Sequence, residues 1–344
     1  MALRLLVLRI TERCNLACRY CYAAGSGCKK PDMDFDTASK AIELACPDGA
    51  SLRIQITGGE PLLNLDLAEE LKDFGKKTGR RLSLSLQTNA TLIDAAMAAR
   101  IRALGCGVGV SIDGIGASNG LRVFADGCGS FTAASEGIKA LAAEGVPCNI
   151  TAVVSSANAL KLSELADLSL YFGNVRGIGL DVFRPLGRGA KEDFSPDEEE
   201  LEKGIGSLIK RQKELEALGI RLTLREAERI KKRLKAPCSG VYCYAQTAES
   251  LCVDADGRLW PCASLAGTEG MQLGSIHDGF PDEPLPKGNG PEISEKRKAL
   301  AAPESCTSCK DYKTCLGGCP AGRLSSNNDI TCAMHGAFCE RIGL

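Results

Sequence analysis

Residues 3–11 are almost continuously apolar, with Arg4 and Arg9 as the only charges, and this predicts a buried β-strand. After it, strand-like and helix-like runs take turns. The spacing predicts a helix over 36–46 capped by Asp36, a strand over 51–56 and a helix over 64–77 ended at Gly79. A strand over 82–87, a helix over 93–104 ended at Gly105 and a strand over 107–112 come next. Then follow a helix over 131–143 ended at Gly145, a strand over 147–153, a helix over 160–171 and a strand over 177–182. A long helix over 196–218, with Pro196 in its first turn, closes the series. Six strand-then-helix units in a row predict a parallel sheet with helices outside it, an α/β fold. Periodicity does not choose between an open doubly wound sheet and an incomplete barrel.

In a parallel α/β barrel the chemistry collects at the C-terminal ends of the strands. Polar residues and glycines fall at those places here: Cys14–Cys21 after the first strand, Thr57-Gly58-Gly59-Glu60-Pro61 after the second, and Gln87-Thr88-Asn89 after the third. Ser111-Ile112-Asp113-Gly114 ends the fourth, and Phe183-Arg184-Pro185-Leu186-Gly187-Arg188-Gly189 follows the sixth.

The pattern changes after residue 219. Arg221–Lys235 is charged, and its basic run Arg229–Lys235 is expected to be a solvated helix face. Pro237 breaks it, and from Cys238 the chain is cysteine-dense and poor in regular periodicity. Two domains are expected, over 1–230 and 231–344.

Composition narrows the chemistry. The 344 residues carry a net charge of −1, which gives no electrostatic case for a nucleic-acid or anionic-membrane partner. No apolar run approaches the roughly 20 residues of a membrane span. The N-terminus has no small-residue cleavage site, so it is not expected to be a signal peptide. Eighteen cysteines in a chain of this length and pattern point to metal binding rather than disulfides. Clusters sensitive to oxygen would fit an anaerobic cytoplasm. The two histidines, His277 and His335, offer little material for acid–base or zinc chemistry and are expected to be surface or packing residues.

Cys14, Cys18 and Cys21 are spaced C-x3-C-x2-C. Such a loop can aim three thiolates at one cuboidal iron–sulfur cluster. Clusters of this kind normally have four protein ligands, so one iron would stay open to a ligand from outside the chain.

This octet resembles the signature of the radical S-adenosylmethionine (radical SAM) enzymes, C-x3-C-x-aromatic-C, with Tyr20 as the aromatic. The resemblance implies a partial (β/α)6 barrel. It also implies a four-iron–four-sulfur cluster whose open iron is chelated by SAM, a flavodoxin- or ferredoxin-type reductant, and hydrogen abstraction by a 5′-deoxyadenosyl radical. Gly58-Gly59-Glu60-Pro61 resembles the family motif that holds the methionyl amino group. Ser111 resembles the ribose contact, and Arg122 stands where sulfatase-maturating members place an arginine on SAM. Asn89 is a further candidate contact, and Asp113 is either a ligand or a strand-end turn former.

The C-terminal cysteines resemble the SPASM domain, a C-terminal extension found in part of that family. Cys243 precedes Gly257 by thirteen intervening residues, and Gly257 precedes Cys262 by four. Then come Cys306-x2-Cys309-x5-Cys315-x3-Cys319 and Cys332. Asp254-Ala-Asp-Gly257 is a hairpin turn signal, so Cys262 is expected on the return strand. By resemblance, one auxiliary cluster takes Cys238, Cys243, Cys262 and Cys319, and a second takes Cys306, Cys309, Cys315 and Cys332, with Cys339 as the substitute for Cys332. If Cys238 is not a ligand, the first auxiliary cluster is open to substrate. Cys28, Cys46, Cys106, Cys128, Cys148, Cys252 and Cys339 are otherwise expected to be small buried hydrophobes.

The resemblance implies a maturase that oxidises a peptide or protein side chain, forming a thioether or carbon–carbon link, with an auxiliary cluster taking the electron. Ala263 stands where sulfatase-maturating enzymes carry an aspartate, which argues against formylglycine formation. With the first strand expected to begin near residue 3, an N-terminal peptide-recognition domain is not expected, which weakens a leader-peptide reading without excluding it. The segment 183–189 is similar to haem-pathway decarboxylases, so oxidation of a small molecule such as a tetrapyrrole is the alternative. A non-catalytic iron–sulfur carrier is the third reading, opposed by the intact Cys14/Cys18/Cys21 and Gly58–Glu60 set.

Overall fold

The computed structural model describes residues 3–23, 31–235, 241–278, 296, 298–325 and 328–343. Strand β1 (Leu5–Thr11) is buried along nearly its whole length, and a strand shielded on both faces must lie inside a sheet. It does. β1 pairs in parallel with β2 (Ser51–Gly58) on one side and with β8 (Ser250–Val253) on the other. From β2 the sheet continues in parallel through β3 (Arg81–Thr88), β4 (Gly107–Ser111), β5 (Cys148–Val154) and β6 (Val175–Val182). A two-residue strand β7 (Thr223–Leu224), too short for a sequence signal, adds one more parallel neighbour. On the other flank β9 (Arg258–Trp260) and β10 (Gly274–Ser275) turn antiparallel. The order β10-β9-β8-β1-β2-β3-β4-β5-β6-β7 is one open sheet of ten strands. Strands β1 to β6 follow one another without the reversal of a doubly wound sheet, so the core is a partial barrel that does not close.

Helices α1 (Phe35–Ala45), α2 (Leu65–Lys77), α3 (Ala95–Leu104), α4 (Phe131–Ala143), α5 (Ser163–Phe172) and α6 (Glu198–Ala217) cover the outer face. Their apolar sides meet the outward residues of the strands in one continuous core that includes Leu6, Ile42, Ile54, Leu71, Ile101 and Ile138. Gly105 ends α3 in the left-handed conformation, as its position suggests. Two start signals fall elsewhere than expected. Asp34, not Asp36, caps α1 by accepting from the Thr37 amide at 2.8 Å. Asp197 caps α6, so Pro196 precedes the cap instead of lying in the first turn. In both cases the side chain that reaches the third amide beyond it wins the cap.

The basic run is only partly a solvated face. It lies on α7 (Arg225–Lys235), and Lys231, Lys232 and Lys235 are exposed. Arg229 and Arg233 instead stack over Tyr242, with centroid distances of 5.0 and 4.8 Å. Arg233 also donates to the Thr314 carbonyl at 2.6 Å and the Tyr242 carbonyl at 3.0 Å. The helix thus fastens the cysteine-rich region to the barrel. The C-terminal helix Asn328–Arg341 packs against α6 and α7. The hairpin β8–β9 is joined to β1 by a buried group. Arg9 donates to Asp254 at 2.6 Å, and the Trp260 indole donates to the same carboxylate at 2.9 Å. Cys262 lies just beyond β9 and not on it.

Candidate active site

The loop that follows β1 is clamped at its base. Thr11 donates to Asp32 at 2.6 Å, and the Arg13 guanidinium grips the same carboxylate. The Gly59 amide donates to the Thr11 carbonyl and the Glu60 amide to the Arg13 carbonyl, both at 2.8 Å. A Cβ at Gly58 would lie 2.2 Å from the Thr11 oxygen, and one at Gly59 would lie 2.1 Å from the Arg13 oxygen. Only glycine lets the two loops zip together this closely. Farther along, the Ala17 and Arg19 amides donate to the Val123 and Leu121 carbonyls at 2.7 and 2.9 Å. Arg188 donates to the Cys18 carbonyl through its side chain at 2.9 Å and to the Cys21 carbonyl through its backbone at 3.0 Å. Segment 183–189 is therefore the platform under the cysteine loop. Leu16, Tyr20, Leu121, Phe183 and Phe194 form an apolar patch of their own behind it.

Cys14, Cys18 and Cys21 line one cavity of about 330 Å³ at the C-terminal ends of the strands. Its walls include Gln55, Thr57, Gly58, Gly59, Gln87, Thr88, Asn89, Ser111, Arg122, Thr151, Asp181, Arg184, Arg225, Ala263 and Ser264. Burial pushes the Cys14 thiol up to about 12 and raises Cys18 as well. Among the described residues, the three thiols do not all lie within 4.8 Å of one another. A single tetrahedral ion with bonds of about 2.3 Å would draw them to roughly 3.8 Å. The wider set fits a multi-iron cluster, with the Leu16 amide 3.4 Å from the Cys14 sulfur.

The structure brings Gly58, Gly59, Asn89, Ser111, Arg122 and Tyr20 to this cavity with the three cysteines. Glu60 differs from expectation. It is fully buried and does not line the cavity. Its carboxylate accepts from the Thr88 hydroxyl at 2.6 Å, the Asn89 amide at 2.7 Å and the Leu62 amide at 3.1 Å. Burial raises Glu60 despite these donors. The glutamate ties the turn after β2 to the turn after β3. Arg122 is no solvated loop charge. It is buried and donates to the Tyr20 hydroxyl at 2.7 Å, while that hydroxyl donates to Asp113 at 2.5 Å. Asp113 also accepts from the Val153 amide at 2.9 Å, and burial raises it. It does not line the cavity; it holds Tyr20 and the end of β5. Asn89 donates to Asn15 at 2.9 Å, and Ser111 accepts from Gln87 at 2.9 Å.

Sequence reasoning placed Arg184 on the rim but gave it no role, and it missed Asp181, Arg225, Gln55 and Thr151 as wall residues. Asp181 and Arg225 pair at 2.8 Å while still half-exposed to the cavity. Burial would raise Asp181, but the guanidinium groups of Arg225 and Arg184 outweigh it and hold the carboxyl below its usual range. Asp181, Val182, Arg184, Arg225 and Ser264 also line a second cavity of about 210 Å³, which reaches Cys319 and Tyr242. The two spaces share a wall.

Cys243, Cys262 and Cys319 gather on a small apolar core built from Val7, Cys252, Trp260, Leu265, Met271, Leu300 and others. Burial pushes Cys262 up to about 12. Cys238 lies outside the described residues. Cys306, Cys309, Cys315 and Cys332 line a cavity of about 50 Å³ together with His335. Cys339 does not line it. It is buried, 3.3 Å from the His335 ring and 3.8 Å from Thr314. His335 is a packing residue, driven down to about 4 by burial, and His277 is exposed. Cys46, Cys148 and Cys252 are buried as expected and Cys106 partly so, but Cys128 is exposed; Cys28 lies outside the described residues.

The model of the Radical SAM superfamily matches residues 8–167. An uncharacterized protein of Methanocaldococcus jannaschii, MJ0907, is 35% identical over 277 residues, 79% of this chain and 88% of its own. The Fe-coproporphyrin III synthase of Methanosarcina barkeri is 31% identical over 62% of this chain and 52% of its own. The serine-type anaerobic sulfatase-maturating enzyme of Klebsiella aerogenes is 26% identical over 97% of this chain and 84% of its own. Among solved structures, anSMEcpe with bound AdoMet and a Cp18Cys peptide superposes with a TM-score of 0.81 at 24% identity, over 99% of this chain and 96% of that one. A three-cysteine loop on the rim of an open parallel barrel, zipped to a Gly-Gly turn, is thus matched in sequence and in shape: the chain belongs to the radical SAM superfamily. It is an enzyme with a SPASM-type C-terminal region, and it binds a four-iron–four-sulfur cluster and S-adenosylmethionine. No helix among the described residues is long and apolar enough to cross a membrane.

Proposed function

We propose that this enzyme oxidises a peptide or protein side chain, using Cys14, Cys18 and Cys21 to hold the SAM-binding cluster. Two auxiliary clusters sit beyond it, one on Cys238, Cys243, Cys262 and Cys319, the other on Cys306, Cys309, Cys315 and Cys332. When bound, the reduced SAM cluster supplies a 5′-deoxyadenosyl radical by cleaving SAM. Gly58 and Gly59 bare the backbone at the edge where the methionyl end would lie. Ser111 and Asn89 offer polar atoms along the same wall, and Arg122 with Tyr20 closes its floor. The observation that carries the reading is the shared wall between the two cavities. A substrate bound there meets both spaces through Arg184 and Ser264, which line each of them, so hydrogen abstraction and electron removal can serve one molecule.

A peptide suits the likeness to a structure with bound AdoMet and peptide. Ala263 at the cavity wall leaves no carboxylate at the position where, by the resemblance, sulfatase-maturating enzymes carry an aspartate, so formylglycine is not the product we assign. The second reading, oxidation of a small molecule such as a tetrapyrrole, is favoured by the similarity to Fe-coproporphyrin III synthase. The test is 5′-deoxyadenosine formation by the reduced, reconstituted enzyme with SAM, with host extract split into peptide-plus-protein and small-molecule fractions. Stimulation by the first supports the maturase. Stimulation by the second alone moves the assignment to the small-molecule reading.

A further inference from the structure

Three arginines line the first cavity, and two of them are spoken for. Arg122 holds the Tyr20 hydroxyl at 2.7 Å, on the side of Cys18. Arg225 holds Asp181 at 2.8 Å and Glu226 at 2.6 Å and also caps the Leu180 carbonyl. Arg184 lines both cavities. No hydrogen bond or ion pair engages its guanidinium among the described residues, although Asp181, Tyr22, Cys262 and Cys319 are near enough to act on its charge. Asp181 is the one carboxylate lining the first cavity among the described residues. A guanidinium drawn partly out of water with no bonded partner is costly. Its planar fork matches a carboxylate in two parallel bonds.

We infer that Arg184 is the anchor for a carboxylate on the substrate. The inference rests on the oxidative radical SAM reading above and narrows its substrate class. One guanidinium beside Asp181 suits a singly charged carboxylate, whereas a phosphate dianion would meet the Asp181 charge. The position also separates this anion from that of SAM, because Arg184 lines the cavity that reaches Cys319, whereas Arg122 lines only the first cavity with Cys18. The carboxylate has two sources, an acidic residue or C-terminus of a peptide and an acidic side arm of a small molecule.

The test is equilibrium binding to the anaerobically reconstituted full-length protein with SAM and no reductant. The probes are two pairs: short peptides with a central Glu against the same peptides with Gln, and coproporphyrin III against its methyl ester. The charged member of one pair should be retained about tenfold more tightly, as charge-assisted bonds allow. The pair that discriminates identifies the source. R184Q should erase the preference and R184K should keep part of it, both with wild-type iron content. The inference is overturned if neither pair discriminates or if the preference survives in R184Q. It is overturned equally if R184Q leaves the preference intact and shifts only SAM affinity or the midpoint potential of the first auxiliary cluster, since Arg184 would then serve those groups. Binding is read before any SAM is cleaved, so a carboxylate preference without stimulated 5′-deoxyadenosine would sink the proposed function and leave this inference standing.

Discussion

The two outermost cysteine groups are built by opposite means. Cys14, Cys18 and Cys21 sit on a loop whose base, middle and underside are fastened by backbone hydrogen bonds to the turns after β2, to residues 121–123 and to Arg188. An apolar patch backs it, and the main core lies beneath. Cys306, Cys309, Cys315 and Cys332 sit among helices of four or five residues and the start of the C-terminal helix, and Cys309 and Cys332 are exposed. None of these four joins an apolar core. The group around Cys243, Cys262 and Cys319 is intermediate, with a small core of its own. The first site is held ready by the fold. We expect the last to depend for order on the cluster proposed for it, because metal-ligand bonds supply folding energy where buried apolar area does not.

The strongest way to separate the regions is by their ligands. Replacing Cys14, Cys18 and Cys21 with alanine should abolish 5′-deoxyadenosine production while leaving about eight of about twelve irons, at four per cluster. Surviving SAM cleavage in that variant would undo the assignment of the loop. Next in size, iron removal by chelation should open residues 298–325 to proteolysis and fast amide exchange while β1 to β6 stay protected. Equal loss of protection in both regions would show that the barrel also needs its cluster.

The joint between the regions comes third. Asp254 is buried between Arg9 and Trp260, with side-chain exposures of 2% for the aspartate and 9% for the arginine. Asp254→Ala leaves Arg9 charged and unpaired and should cost about 3–5 kcal/mol, read by denaturant unfolding of the reconstituted protein. Gly187→Ala probes the platform under the loop. Gly187 has φ +58, and an added Cβ would lie 2.3 Å from the Tyr22 carbonyl. Stability should fall by roughly 1–3 kcal/mol, with the SAM cluster more easily lost than the auxiliary ones. The smallest effect belongs to Asp34→Ala on the outer face. Loss of the α1 cap should cost about 1 kcal/mol and leave cluster content unchanged.

Much of the barrel was legible because its signals are local. Alternation of apolar runs, Gly105 after α3 and the cysteine spacing each act within a few residues. The wall residues Gln55, Gln87 and Thr151 carried a signal as well: each is a polar position in a strand whose polar residues alternate with the core positions Ile54, Leu86 and Ile150. Glu60 was readable as part of a motif, but its burial was not, since two of the donors that claim it come from Thr88 and Asn89, at the end of another strand and the turn after it.

By itself the sequence determined the parallel α/β order, the three-thiol loop and the existence of a cysteine-rich C-terminal region, because periodicity and ligand spacing are properties of adjacent residues. Tertiary structure alone decided that β8 continues the sheet beside β1, that Arg229 and Arg233 bind the cysteine-rich region instead of facing water, and that Arg184 looks into two cavities at once. Those facts turn on which surfaces meet after folding, and the pairing of distant surfaces is fixed by shape, charge and burial that no short stretch of chain contains.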